Sequence, residues 1–267
     1  MKKLIAITLS LPLLVSACVT NPITGRSQAA LVSDAEAAKA SNKAYAQVLS
    51  QARQKRALDT SEPNVDRIRG ITDRLIVQAE KFRPETKTWK WEVHVLKSDE
   101  VNAWCMAGGK MAVYTGLLDK IKPSDDELAQ VMAHEISHAL LSHQAEKMSR
   151  AQMQQAGLQI GMIAGAIAGY NMRNVAGLAN SVATVGLELP NSREAEAEAD
   201  KVGMELAARA AYDPRASASL WEKMLRAGGS STPEWLSTHP SPETRLQTVR
   251  ALAVKLMPVY EQALRSR

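Results

Sequence analysis

Three observations predict an α+β fold, mostly helical, with one small sheet next to a helix that carries paired histidines. Apolar residues recur at three- and four-residue steps through most of the 267-residue chain, the pattern of helices that bury one face. One stretch, TWKWEVHVL, alternates with period two instead, as a half-buried strand does. VMAHEISHALLSH, Val131 to His143, sets three of the five histidines within ten residues of a helical pattern. The length suffices for one well-buried domain and nothing marks a second, so residues 31–267 are expected to form a single unit.

The chain opens on MKKLIAITLSLPLLVSAC: two lysines, a short apolar run and small residues ahead of Cys18. Residues 1–17 therefore read as a secretory signal, too short to be kept as a spanning helix. Val15-Ser16-Ala17-Cys18 further resembles a bacterial lipobox, which implies cleavage before Cys18 and acylation on it, with residues 18–30 a lipidated N-terminus and linker. Val19 follows, with no Asp in that place to signal inner-membrane retention, so the expected location is the periplasmic face of the outer membrane. Cys105 is left without a partner and reads as a buried thiol. Loss of Lys2 and Lys3 with the signal lowers the net charge from +5 to about +3, a mild surplus that gives no reason to expect nucleic-acid binding.

Two Ala-rich, charged stretches, 33–57 and 64–82, have helical spacing, separated at Glu62-Pro63-Asn64. The strand TWKWEVHVL follows, with His94 on its mostly polar face, where an exposed or cross-strand role is expected. KMAVYTG reads as a second strand, with Gly108-Gly109 as the turn before it. Ser124 can cap the next helix, and Asp125, Asp126 and Glu127 suit its positive end. On it His134 and His138 are four apart and project from one face, the geometry that two ligands of one zinc ion require. Glu135 points far enough round the helix to miss such an ion yet reach a water beside it. His143, five past His138, lies off that face.

Residues 151–190 are small and apolar with Gly-x-x-x-Gly-like spacing, but hold too few strongly apolar residues to span a bilayer, and read as a close-packed helical hairpin over the cleft. A further helix starts at Asn191 or Ser192, in NSREAEAEADKVGMELAARAA. A site built on two histidines needs a third ligand, and Glu194, Glu196 and Glu198 compete for it; the alternative is a solvated acidic face. Glu196 and Asp200 are four apart and share a side. YDPRASASLWEKMLRA and SPETRLQTVRALAVKLMPVYEQAL supply two more helices.

HEISH together with the downstream SREAEAEAD resembles the gluzincin family that holds the HtpX-type heat-shock proteases, the CAAX prenyl proteases and the periplasmic lipoprotein proteases. Three further segments fit its pattern: NPITGR (Asn21 to Arg26), NAWCMAGGKMAVYTGLL (Asn102 to Leu118) and STHPSPETR (Ser237 to Arg245). Trp104-Cys105 departs from it, since Phe and a small residue are usual there. The resemblance implies a zincin-like metalloprotease domain with one Zn2+ per chain, Glu196 as third ligand and Asp200 as the acid that orients a ligand histidine. A small sheet before an HExxH helix is the zincin arrangement, in which an edge strand pairs with extended substrate, so Asn102, Ala103, Gly108 and Gly109 are expected to line the cleft.

The implied activity is zinc-dependent endoproteolysis of unfolded or misassembled envelope proteins, with Glu135 as the general base. The alternative is a non-catalytic or mainly scaffolding, chaperone-like lipoprotein that assists outer-membrane protein assembly; Glu135 argues against it, because a structural metal site has no use for a base. His239 lies in a loop bracketed by prolines and is drawn toward the metal by the resemblance, either as a latch on the ion's open position or as an oxyanion donor.

Overall fold

The computed structural model describes residues 18–167, 191–227, 234–239 and 245–266, and of 158–167, 234 and 236 only the backbone course. The expected signal segment, most of the 151–190 hairpin and residues 240–244 lie outside these. An antiparallel pair, β1 (Cys18–Thr20) and β2 (Ser27–Ala29), comes first. Helix α1 (Asp34–Gln54) starts in a capping box: the Ser33 hydroxyl accepts from the Glu36 N–H while the Glu36 carboxylate accepts from the Ser33 N–H. Helix α2 (Glu62–Phe82) begins at Glu62, so Glu62-Pro63-Asn64 starts a helix where the sequence suggested a break. Proline costs nothing in a first turn, where its missing N–H would have no intrahelical partner. The break falls earlier, at Arg56 in the left-handed region and the short strand β3 (Leu58–Asp59).

The expected strand over residues 88–96 shrinks to β4 (Glu92–Leu96), because Pro84–Thr88 form a 3-10 turn and Trp91 Nε1–H donates back to Thr86 O at 3.2 Å. Then come β5 (Ala103–Met106) and β6 (Lys110–Tyr114), giving a sheet of order β3-β4-β6-β5 in which only β4 and β6 are parallel. Strand β5 lies at the edge. The turn between β5 and β6 uses Gly108 and Gly109 at φ +83° and +78°, and a Cβ on Gly109 would sit 2.5 Å from the Trp91 ring.

Helix α3 (Asp125–Leu140) is the centre of the molecule, buried from Glu127 through Leu140. Its cap is the expected one, with Ser124 and Glu127 exchanging hydrogen bonds. Around it pack α2, β5, α5 (Arg193–Arg209) and α6 (Ala216–Ala227), and Leu75, Leu128, Ile136 and Leu206 are fully enclosed. Each such side chain stabilises the fold by about 1.5–3 kcal/mol relative to exposure. Ser142, at φ 57°, turns the chain into α4 (His143–Ile167). The short α7 (Glu234–Thr238) and α8 (Arg245–Arg265) complete the described chain, and α8 packs on α5. Among the described residues no helix is long and apolar enough to cross a membrane.

Candidate metal centre

Helices α3 and α5 cross with almost no space between them. A Cβ on Gly203 would lie 2.9 Å from the His134 Cα, so glycine alone permits the approach. Glu196, Asp200 and Gly203 follow one another along one side of α5, and the crossing brings Glu196 onto the paired histidines. His134 Nε2 and His138 Nε2 are 3.1 Å apart; Glu196 Oε2 is 3.3 Å from the first and Glu196 Oε1 is 3.2 Å from the second. Four bonds of 2.0–2.1 Å arranged as a tetrahedron have edges of about 3.3–3.4 Å, so the two imidazole nitrogens and the Glu196 carboxylate, which turns one oxygen to each, are spaced to supply three corners of a zinc site. With His239 they form one buried group of potential ligand atoms, all within 4.8 Å of one another. Gly203→Ala should cost about 1–3 kcal/mol in stability through overpacking. It should also weaken zinc binding; a variant with parental melting temperature and affinity would show that the crossing has slack.

The hydrogen bonds orient the site for metal binding. Asp200 Oδ1 accepts from His134 Nδ1 at 3.0 Å; burial opposes charge on this imidazole, but Asp200 and Glu196 outweigh it and raise it to about 9, so an ion at Nε2 would displace a proton. Burial opposes charge on Glu196, but His134 and His138 outweigh it and hold the carboxyl well below the usual carboxylate range. Burial pushes the His138 imidazole down to about 3, toward the neutral form a metal takes. Arg245 closes the far side, donating to Glu196 Oε2 at 3.1 Å and to Asp200 Oδ1 at 2.5 Å, with its guanidinium 4.0 Å from the Trp221 ring centre. Its Nε has no hydrogen-bond partner among the described residues. The sequence places Arg245 at the end of a motif, where a fixed positive charge near the cleft is expected; its partners come from folding.

Glu135 sits beside the cluster. Its Oε1 accepts from Trp235 Nε1–H at 2.8 Å and lies 3.3 Å from His239 Nε2. Burial works against its ionisation, but His239 outweighs that and brings the carboxyl down to about 2, so it is an acceptor at neutral pH. Trp235 is a functional residue the sequence reading missed, with no signal beyond a tryptophan four residues before His239. The two rings stack, 4.8 Å between centres at 20°. The Trp235 carbonyl lies 3.0 Å from His239 Nδ1, which turns Nε2 toward Glu135 and the site.

The remaining candidates divide. Glu194 is exposed, and Glu198 faces His143 at 3.0 Å, so neither joins the cluster. Ala103 lies on the edge strand and the Asn102 carbonyl accepts from Tyr114 N–H, whereas Gly108 and Gly109 pack at the turn against Ala38 and Trp91. The Gln144 side chain accepts from Ala107 N–H and donates to Cys105 O, covering the end of that edge. Cys105 is a buried thiol, pushed well up by burial and then by the Glu135 charge. Cys18 is exposed at the start of β1.

A mostly helical α+β domain, an edge strand beside the central helix and a buried His-His-Glu group with a carboxylate next to it define a zincin-like metallopeptidase that uses zinc. The model of Peptidase family M48 matches residues 62–253, and the chain belongs to that family. Similar proteins include the mitochondrial metalloendopeptidase OMA1 of Arabidopsis thaliana, 39% identical over 155 residues, which cover 58% of this chain and 30% of that protein. OMA1 of Saccharomyces cerevisiae is 32% identical over 182 residues, 65% of this chain and 50% of its own length. The beta-barrel assembly-enhancing protease of Escherichia coli is 32% identical over 176 residues, 63% of this chain and 36% of its own. The match thus spans half or less of these relatives.

Proposed function

We propose that this chain is a zinc-dependent endopeptidase of the bacterial cell envelope that cuts unfolded or misassembled envelope proteins, of the lipoprotein branch of its family. The observation that carries the hydrolytic reading is Glu135, an ionised carboxylate fixed by Trp235 beside three converging ligand atoms. His134, His138 and Glu196 would hold the ion, which when bound supplies a Lewis acid and a water of lowered pKa. Glu135 takes the proton of the attacking water and passes it to the leaving amine. Asp200 holds the His134 tautomer, and the edge strand at Ala103 offers backbone groups to an extended substrate. The envelope assignment is supported by the lipobox-like start and by a relative whose name is a beta-barrel assembly-enhancing protease.

The test is to trap clients in cells with Glu135→Gln protein and identify them by mass spectrometry. Recovery of outer-membrane precursors that the parent cuts supports the reading. Equal, stoichiometric protection of clients by parent and variant would favour the chaperone-like alternative. Cys18→Ser should move the protein from the membrane to the soluble periplasmic fraction; unchanged association would refute the anchor.

Within the same reading, His239 is a latch. Its Nδ1 rests against the Trp235 carbonyl, so Nε2 is the ring nitrogen turned to the metal side, where it joins the group of potential ligand atoms. His239→Ala should therefore raise cleavage of an unfolded substrate at constant zinc content. A fall of about ten- to a thousand-fold would make it an oxyanion donor.

A further inference from the structure

The segment Asn21 to Gln28 has no task in this chemistry, yet it is joined to the metal centre by a continuous set of polar contacts. Asn21 Nδ2 and Gln28 Nε2 both donate to Leu141 O, at 3.0 and 2.9 Å, where α3 gives way to α4. Next to them Arg26 spreads its guanidinium between two acids. Its Nη1 and Nη2 meet Glu146 Oε1 and Oε2 at 2.8 and 2.6 Å, and its Nε meets Glu198 Oε2 at 2.9 Å. Glu198 Oε2 also lies 3.0 Å from His143 Nε2, and His143 Nδ1 lies 2.8 Å from His138 Nδ1. His143 and Glu146 are buried.

With His143 neutral, one arrangement of protons satisfies this chain. A carboxylate accepts, so His143 donates from Nε2 and keeps Nδ1 as an acceptor. His138 must then donate from Nδ1, which leaves its Nε2 lone pair for an ion. The carboxylate at one end thereby selects the tautomer at the other, across an intervening imidazole. Arg26 is what holds that carboxylate in place, and its planar fork reaches both acids at once, which a lysine ammonium cannot do with the same geometry.

We propose that Arg26, Glu198 and His143 are positioning residues for the metal centre, through which the N-terminal segment fixes His138 in its ligating tautomer and orientation. The inference rests on His138 being a zinc ligand. It gives the NPITGR motif a physical role, and it explains why Glu198, a rival for the third ligand in the sequence, is not free to be one.

Zinc affinity of the full folded chain, measured by competition with a chromogenic chelator, tests it. Arg26→Ala and His143→Ala should each weaken zinc binding by about 10- to 100-fold. Arg26 acts through His143, so the double variant should bind within about twofold of His143→Ala alone. Arg26→Lys should recover only part of the loss. The proposal is overturned if Arg26→Ala lowers the melting temperature but leaves affinity unchanged, or if its effect adds in full to that of His143→Ala. Should Arg26→Ala fail to fold, Glu198→Gln keeps the volume and removes the fixed acceptor; unchanged affinity there overturns the proposal equally. A parent that binds no zinc, or a His138→Ala variant that binds as tightly as the parent, would instead sink the ligand assignment beneath it.

Discussion

Purified Glu135→Gln protein should keep about one zinc per chain and its melting temperature, while its cleavage of an unfolded substrate falls by about 10²–10⁴-fold. The amide is isosteric, and its oxygen can still accept from Trp235 Nε1–H, so the packing around the site survives. What it lacks is a site for a proton. Because Glu135 contributes none of the three converging ligand atoms, the metal has no reason to leave. Single-turnover cleavage read against bound zinc separates the effects. Activity within tenfold of the parent would mean another group takes the proton, and loss of zinc would mean that Glu135 belongs among the ligands.

Glu196→Ala should have the larger structural effect, removing zinc altogether. The carboxylate touches His134, His138 and Arg245, and all three are buried. Its removal leaves a guanidinium and two imidazoles facing a gap, and breaking a buried ionic network in this way costs about 3–5 kcal/mol. His134→Ala and His138→Ala should likewise empty the site. Glu194→Ala is the control: an exposed side chain whose loss should leave metal and stability at parental values. Metal analysis after gel filtration decides the matter, and full zinc in Glu196→Ala protein would overturn the ligand set.

Helices were legible because period is a local property. The caps at Ser33, Ser124 and Ser192 stand where hydroxyls precede acids, and α3 and α5 begin where those residues place them. The sheet was half legible. Strand β5 has no alternation, because Ala103, Cys105 and Met106 are all buried, and a strand enclosed on both faces loses its period. Trp89 and Trp91 extend the apparent alternation ahead of β4, although both donate back to Thr86 O in the 3-10 turn and do not join the ladder. In the site, spacing alone put His134 and His138 together. Glu196 needed a resemblance to choose it among three acids, since only the crossing of α3 and α5 tells them apart. Trp235 and Arg245 depend on contacts made across long stretches of chain, as does the meeting of His143 with Glu198, and spacing holds no information on these.

Gly203 also bears on which ions the site suits. With the helices in contact at that point, the candidate ligand groups stay 3.1–3.3 Å apart. A seat of that span is ready before any ion arrives, and four-coordinate zinc matches it. Distance alone does not turn calcium away, because bonds of about 2.3–2.6 Å in a six-coordinate shell give edges of about 3.3–3.7 Å. The donors do, since calcium takes six to eight oxygens and the seat offers two imidazoles. The crossing supplies a preformed seat, and selection among ions falls to the imidazole and carboxylate donors.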